Sequence, residues 1–385
     1  GGFPVHPRVA ADWRRENARL RLDDGSSQHL LIGGESPAEG TVVRFPSLAE
    51  SLKAIAAGGT AAFYRGAIAA DMVAELKRRG GTHELDDFAA HRSDWVTPIT
   101  SNFGGLDIAE IPPNGHGVTA LILLNILKRV AARGTEPFSA HRYHVQMEAA
   151  RLAYAIRDAY VADPAKADVP VDFLLSDALA DQLAARIDPE RRRDDLGPVP
   201  RPKQSDTIYL SVVDRDGLAI SFINSVYHSF GSGITTTKTG ISLQNRGLGF
   251  SLMRGHPNAI AAGKRPLHTI IPGMALSGGE PEIVFGVMGG AFQPVGHAHV
   301  IANMLDYGLD PQAALDGPRV FFEDGGLMLE SGVGETVARQ LADMGHQVKR
   351  ADEPFGGGQI IRIDRKRGVL IGGSDPRKDG FAAGY

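Results

Sequence analysis

The sequence predicts an α+β protein in which helices cover an antiparallel sheet. Three observations lead there. The first half carries helical periodicity. From residue 207 onward the pattern changes to short apolar runs punctuated by glycine, as strands require. Between them lies a break at 188–206, "DPERRRDDLGPVPRPKQSD", with four prolines, a run of charges and almost nothing to bury.

The elements follow in order. "SLAESLKAIAAGG" is an amphipathic helix closed by Gly58-Gly59, and "YRGAIAADMVAELKRRGG" is a second, with basic residues in its last turn. "IPPNGHG" (111–117) is a turn leading into the helix "VTALILLNILKRVAA". In "YHVQMEAARLAYAIRDAYV", Val145, Ala149, Leu152, Ile156 and Tyr160 fall on one face, the mark of a core-packed helix. Residues 188–206 read as an exposed, mobile linker. After it, "TIYLSVVD" and "LAISFINS" form a hairpin about a two-residue turn at Asp216-Gly217. Both strands are apolar on both faces, which suits a layer inside the molecule. Further strands are expected at "GISLQN", "PEIVFGVM", "GLMLES" and "GQIIRID". No repeat of fixed period occurs.

Composition bounds the function. The chain has 385 residues, 43% of them hydrophobic, enough for one large domain or two ordinary ones. A formal charge of −4 gives no reason to expect nucleic acid or an anionic membrane as partner. Without cysteine there is no disulfide, no thiolate metal site and no Cys nucleophile. The longest mainly apolar run, near 118–127, is too short to span a bilayer, and the first residues carry no signal-peptide pattern. The chain opens without Met, as a fragment or a processed chain would, and its compartment, cytoplasmic or periplasmic, stays open.

Chemistry concentrates around Thr207. A hairpin closed by a two-residue Asp216-Gly217 turn sets Thr207 opposite Val226, with Ser225 and Tyr227 beside it. Two hydroxyls and a phenol then meet at the hairpin's open end. Threonine is also simply a good strand residue. A threonine hydroxyl is a weak nucleophile that needs a base. Cutting the chain before Thr207 would free its own α-amine, with a pKa of about 7.7–8.0, to act as that base. The linker upstream is the kind of segment such a cut needs. Gly289-Gly290, at a strand-to-helix junction, reads either as a tight turn or as an oxyanion hole made of backbone N–H groups. His297 and His299, at i and i+2 of a helix, point to different faces and do not make a metal site. His268-Thr269, in "GKRPLHTIIPG", reads as loop. Arg246, in "LQNRGLGF", is a carboxylate ligand or a surface charge.

Together these segments resemble the γ-glutamyltransferase family of N-terminal-nucleophile hydrolases. The resemblance runs from "GFPVHPRVAADW" to the last residue. It is carried by "DTIYLSVVDRDG", "FGSGI", "TGISLQNRGLGF", "GKRPLHTIIPG", "VMGGAFQP", "LDYGLDPQAALDGPR" and "SDPRKDGFAAGY". It implies a four-layer αββα sandwich and self-cleavage between Asp206 and Thr207. Residues 1–206, the end of a large-subunit-like part, and 207–385, a small-subunit-like part, would stay associated as one structural domain. Thr207 would attack a γ-glutamyl amide of the glutathione type, with Ser225 hydrogen-bonded to it and Gly289 and Gly290 holding the oxyanion. Water, an amino acid or a peptide would accept the acyl group, with no metal or organic cofactor.

The match has departures. Family members carry a further N-terminal portion, including an arginine that grips the substrate α-carboxylate. The paired serines that also hold this carboxylate appear as His268-Thr269. The aspartate that receives the substrate's α-amino group falls at Gly249, a glutamine at Arg246 and an asparagine at Tyr227. The resemblance therefore also admits a relative of the glutaryl and cephalosporin acylases, which does without the amino group, or an inactive truncated member.

Overall fold

The computed structural model describes residues 1–130, 136–196, 207–323 and 325–385. Its contacts divide the chain into two compact units, Gly1–Trp95 with Val226–Arg246, and Val96–Ser225 with Gly247–Tyr385.

The first unit is mainly helical. A short ladder joins β1 (Phe3–Pro4) to β2 (Val42–Val43), and between them run α1 (Pro7–Leu20) and α2 (Asp24–Leu30). α3 (Pro46–Tyr64) is broken at Gly59, whose positive φ ends the regular helix where the glycine pair predicted. α4 (Ala67–Arg78) then begins after Gly66, and α5 (Leu85–Ala90) follows. The small core gathers Val5, Ala10, Trp13, Leu20, Leu31 and Val43, with the Phe230 ring tilted against Trp13. "GISLQN" is not a strand. Its backbone closes tight turns on 234–236 around a single bridge, Thr235 to Ser242, because Thr and Ser hydroxyls there bond the local backbone instead of leaving it to a ladder.

The second unit is built on an antiparallel six-stranded sheet. It comprises β3 (Ile99–Phe103), β4 (Leu106–Glu110), β7 (Gly273–Ser277), β8 (Glu280–Met288), β12 (Gly357–Asp364) and β13 (Val369–Ser374), in the order β13-β12-β8-β7-β4-β3. The β3–β4 hairpin lies in the half that reads as helical. α6 (Gly117–Leu127) and α10 (Gln293–Leu305) pack on this sheet, and α7 (Ala140–Tyr160) packs on α6. α7 is buried all round from Arg142 to Tyr154, more than its one predicted apolar face. α8 (Val171–Leu174) and α9 (Asp177–Ala184) close that side. α11 (Pro311–Asp316) packs on β12 and β13, and α12 (Glu335–Asp343) lies beside a smaller sheet of β9 (Val320–Glu323), β10 (Gly326–Leu329) and β11 (Val348–Arg350). Buried Arg319 pairs with Asp375 at 2.6 Å, tying the C-terminal segment into this unit.

On the sheet's other face lies the hairpin of β5 (Ile208–Val213) and β6 (Ala219–Asn224). Its inner face rests on β8 and β12. Its outer face, with Ile208 68% and Phe222 46% exposed, is open among the described residues rather than enclosed as expected. The strands alternate, so one set of apolar side chains faces the sheet and the other faces away.

Within the linker expected over 188–206, residues 188–196 are held by specific bonds. His144 Nε2 meets the Asp188 carbonyl at 2.8 Å, Arg192 N donates to Met344 O, Arg193 N donates to Glu148 Oε2, and Leu196 is buried. Residues 197–206, with the expected cleavage position at Asp206, lie outside the described residues.

Candidate active site

The hairpin sets Thr207 against Ser225. Ile208 pairs with Asn224 and Val213 with Ala219. The Thr207 hydroxyl donates to Ser225 Oγ at 3.2 Å, and Thr207 is buried. This register differs by one from the two-residue turn expected at Asp216-Gly217. Asp214 N donates to Leu218 O and Gly217 N to Asp214 O, leaving a three-residue loop, Arg215 to Gly217. Asp214 Oδ1 accepts from Asp216 N and Leu218 N, and Gly217 takes φ 84°. A type I turn followed by a left-handed residue makes such a loop, and glycine adopts that residue's conformation without strain. The one-residue shift puts Ser225, not Val226, opposite the threonine.

The hairpin also directs Thr207 along β8. Ser211 Oγ donates to Val284 O at 3.4 Å, and the Tyr209 ring lies flat on Gly286, where any Cβ would fall 2.3 Å from it. Tyr209 Oη bonds Ser221 Oγ at 2.8 Å and Ser211 Oγ at 3.0 Å, and burial pushes its phenol well above the usual range. Going back two residues in β5 thus advances two in β8. One more such step carries Thr207 toward Met288 and the glycines beyond it. Gly289 (φ 135°) and Gly290 (φ 55°) form the junction, a 3₁₀ turn over Gly290–Phe292 that runs into α10. Side chains there would be strained, so the pair is set by backbone conformation.

His268-Thr269 lies in a segment bound at nearly every peptide. Asn114 Nδ2 donates to Pro266 O (2.7 Å), His268 N to Asn114 O (2.9 Å), His116 N to His268 O (3.0 Å) and Leu267 N to Asn258 Oδ1 (3.0 Å). His116 Nε2 meets Thr269 O at 2.8 Å; a carbonyl only accepts, so this nitrogen carries the proton. Burial holds His116 neutral, well below its usual pKa. Ile271 N donates to Gln293 Oε1 at 3.1 Å. Gly249 closes the 3₁₀ turn Arg246–Gly249, and a Cβ there would lie 2.7 Å from the Leu267 carbonyl oxygen. Asn114, His116, Asn258 and Gln293 escaped the sequence reading. Their partners are backbone groups distant in the chain, and only the glutamine's place just after the glycine pair hinted at a role.

Tyr227 and Arg246 belong to the first unit and meet each other. The guanidinium lies 5.2 Å from the ring centroid, and Tyr227 takes φ 83°, rare for a side-chain-bearing residue. Burial lowers the Arg246 pKa to about 10, which leaves it charged at neutral pH, and Tyr227 opposes that shift.

His297 and His299 diverge as their spacing predicts. His297 Nδ1 binds the buried Glu110 at 2.7 Å, while His299 Nδ1 faces Arg142. Burial raises the Glu110 pKa and lowers that of His299. Among the described residues no group of three or more His, Asp or Glu is placed to hold a metal ion, and no helix is long and apolar enough to cross a membrane.

The fold carries a buried hydroxyl pair at the start of β5 and a glycine junction ahead of α10, and comparison with known proteins gives the family. The chain belongs to the gamma-glutamyltranspeptidase family, whose model spans residues 1–385. It is 40% identical over 392 residues to the glutathione hydrolase-like YwrD proenzyme of Bacillus subtilis, covering 100% of this chain and 74% of that one. It is 34% identical over 394 residues to the oxamate amidohydrolase proenzyme of Klebsiella pneumoniae, covering 100% and 73%. In three dimensions it is similar to a cephalosporin acylase from Bacillus halodurans, with a TM-score of 0.91 and 39% identity over 100% of this chain and 72% of that one. The family reached from the sequence motifs therefore holds across the whole chain.

Proposed function

We propose that the chain is a self-processing amidohydrolase or acyltransferase that forms an acyl-enzyme on Thr207. The acyl group would carry a carboxylate but no α-ammonium. The observation that carries the mechanism is the Thr207–Ser225 hydroxyl pair at the first position of the hairpin. Cleavage between Asp206 and Thr207 frees the amine, and the two parts stay associated. The amine takes the hydroxyl proton as Thr207 Oγ1 attacks the amide carbon, and passes it to the leaving nitrogen as the C–N bond breaks. Ser225 holds the hydroxyl. The N–H groups at Gly289 and Gly290 receive the negative charge on the carbonyl oxygen. Water then releases the acid, or an amine takes the acyl group. The four-layer αββα arrangement is part of this proposal, since the open outer face of the β5–β6 hairpin suits a further layer.

The acyl group follows from Gly249. The family's aspartate for the substrate ammonium is replaced by a residue whose side-chain direction is filled by Leu267 O. A buried ammonium without an anionic partner costs several kcal/mol. Oxamate, named in one relative, is a carboxylate-bearing amide with no amine. Hydrolysis of γ-glutamyl amides is a second reading, favoured by the family and by the glutathione hydrolase-like relative. Denaturing electrophoresis with N-terminal sequencing tests the mechanism. Two bands, one beginning "TIYLSVVD", are expected, and Thr207→Ala gives one band and no turnover. A wild-type chain that stays whole, or a turning-over Thr207→Ala variant, sinks it. Glutaryl and γ-glutamyl anilides then separate the two readings: a glutaryl rate at least about 10-fold higher is expected, and a γ-glutamyl preference selects the second.

A further inference from the structure

One side chain joins the two places that the proposed reaction needs. Gln293, the first residue of α10, follows the glycine junction by three residues. Its Oε1 accepts from Ile271 N at 3.1 Å, two residues beyond Thr269. Gln293 and Ile271 are fully buried, and the Gln293 amide nitrogen has no partner among the described residues. The amide is thus held to the segment by this one bond. On its other side the segment is fixed by Asn114 and His116. Gln293 therefore ties a pinned segment to the start of the helix that follows Gly289-Gly290.

We infer that Gln293 is a positioning residue that sets the distance from the His268-Thr269 segment to the oxyanion glycines, and so selects acyl donors by chain length. This rests on the acyl-enzyme reading, with the substrate's carboxylate at His268-Thr269 and its amide carbonyl at the glycines. Each methylene in a linear dicarboxylic monoamide moves the carboxylate from the carbonyl by more than a hydrogen bond can absorb. A misplacement of about 1 Å at the reacting carbon costs on the order of 10²-fold in rate. A bond fixing that distance then discriminates between neighbouring lengths.

The test is kcat and KM for anilide monoamides of oxalic, malonic, succinic, glutaric and adipic acids. The processed wild-type enzyme prefers one length by at least about 10-fold. Gln293→Met, of similar volume but without the accepting oxygen, flattens or shifts that preference, mainly through kcat of the best donor. Gln293→Glu keeps the oxygen and the wild-type order. A Gln293→Met loss that is uniform across the series overturns the inference while leaving the acyl-enzyme reading intact. If Gln293→Met does not accumulate, Asn114→Ala, which loosens the other side of the same segment, must redistribute the preference; a uniform loss there refutes the inference equally. A processed wild type that hydrolyses the whole series without a length preference also overturns it. No wild-type turnover of any member, or of a γ-glutamyl anilide, removes the acyl-enzyme reading and this inference with it.

Discussion

The buried imidazole pair that anchors residue 188 makes the fold sensitive to mild acid. His144 Nε2 meets the Asp188 carbonyl, which only accepts, so Nε2 carries a proton. His144 Nδ1 and His346 Nε2 share a hydrogen bond across 2.8 Å. Burial, then His144, Arg192 and Arg151, lower the His346 pKa from 6.5 to about 3. The folded pKa is depressed, so stability is fully present above pH 6.5 and is lost as pH falls toward 3. In that window the unfolded chain takes a proton that the folded one refuses. From pH 7.5 to 5 the difference integrates to about 2 kcal/mol from His346 alone. His116 and His299, lowered in the same direction, steepen the slope. Urea unfolding of the Thr207→Ala chain, which is whole at both pH values, measures it. His346→Gln, which keeps a donor but cannot titrate, is the comparison. Wild-type His346 should lose about 2 kcal/mol more than the Gln variant between pH 7.5 and 5, and carboxylate contributions cancel in the difference. An equal loss in both proteins would refute the lowered His346 pKa as the source of the acid sensitivity.

Two further outcomes test the site. Ser225→Ala removes one neutral hydrogen bond, longer than the usual O–H···O range; a bond worth about 0.5–1.5 kcal/mol predicts a kcat/KM loss of roughly 2- to 13-fold. Steady-state kinetics would contradict this if the loss exceeded about 10³-fold, which would make Ser225 a proton carrier. Gly249→Asp, which replaces the missing acid by sequence, should not create γ-glutamyl preference, because the new Cβ falls 2.7 Å from Leu267 O. It should instead destabilise by about 1–3 kcal/mol, seen as a lower melting temperature; a stable variant that gains γ-glutamyl turnover would show that the segment can move aside.

Much of this was legible in the chain itself. Strands β8 and β12 and the β5–β6 hairpin stand where short apolar runs meet turn residues. The β3–β4 hairpin escapes the pattern because its strands are short and "TSN" breaks the alternation, a weak signal inside a helical half. "GISLQN" misled because a β-like composition sits among hydroxyl residues that satisfy its backbone locally. The Asp-Gly pair marked the hairpin turn but not its length, since Asp214, two residues earlier, extends the loop through its carboxylate.

By itself the sequence determined the family, the candidate nucleophile Thr207 and the glycine junction, because these rest on local motifs and on residues with few chemical roles. Only the tertiary structure decided that Ser225 faces Thr207, that residues 188–196 are anchored, that Gly249 has no room for a side chain and that Gln293 links α10 to Ile271. Each of these depends on a one-residue register or on a contact between segments far apart in the chain. Local propensity carries no information about either, and packing supplies it.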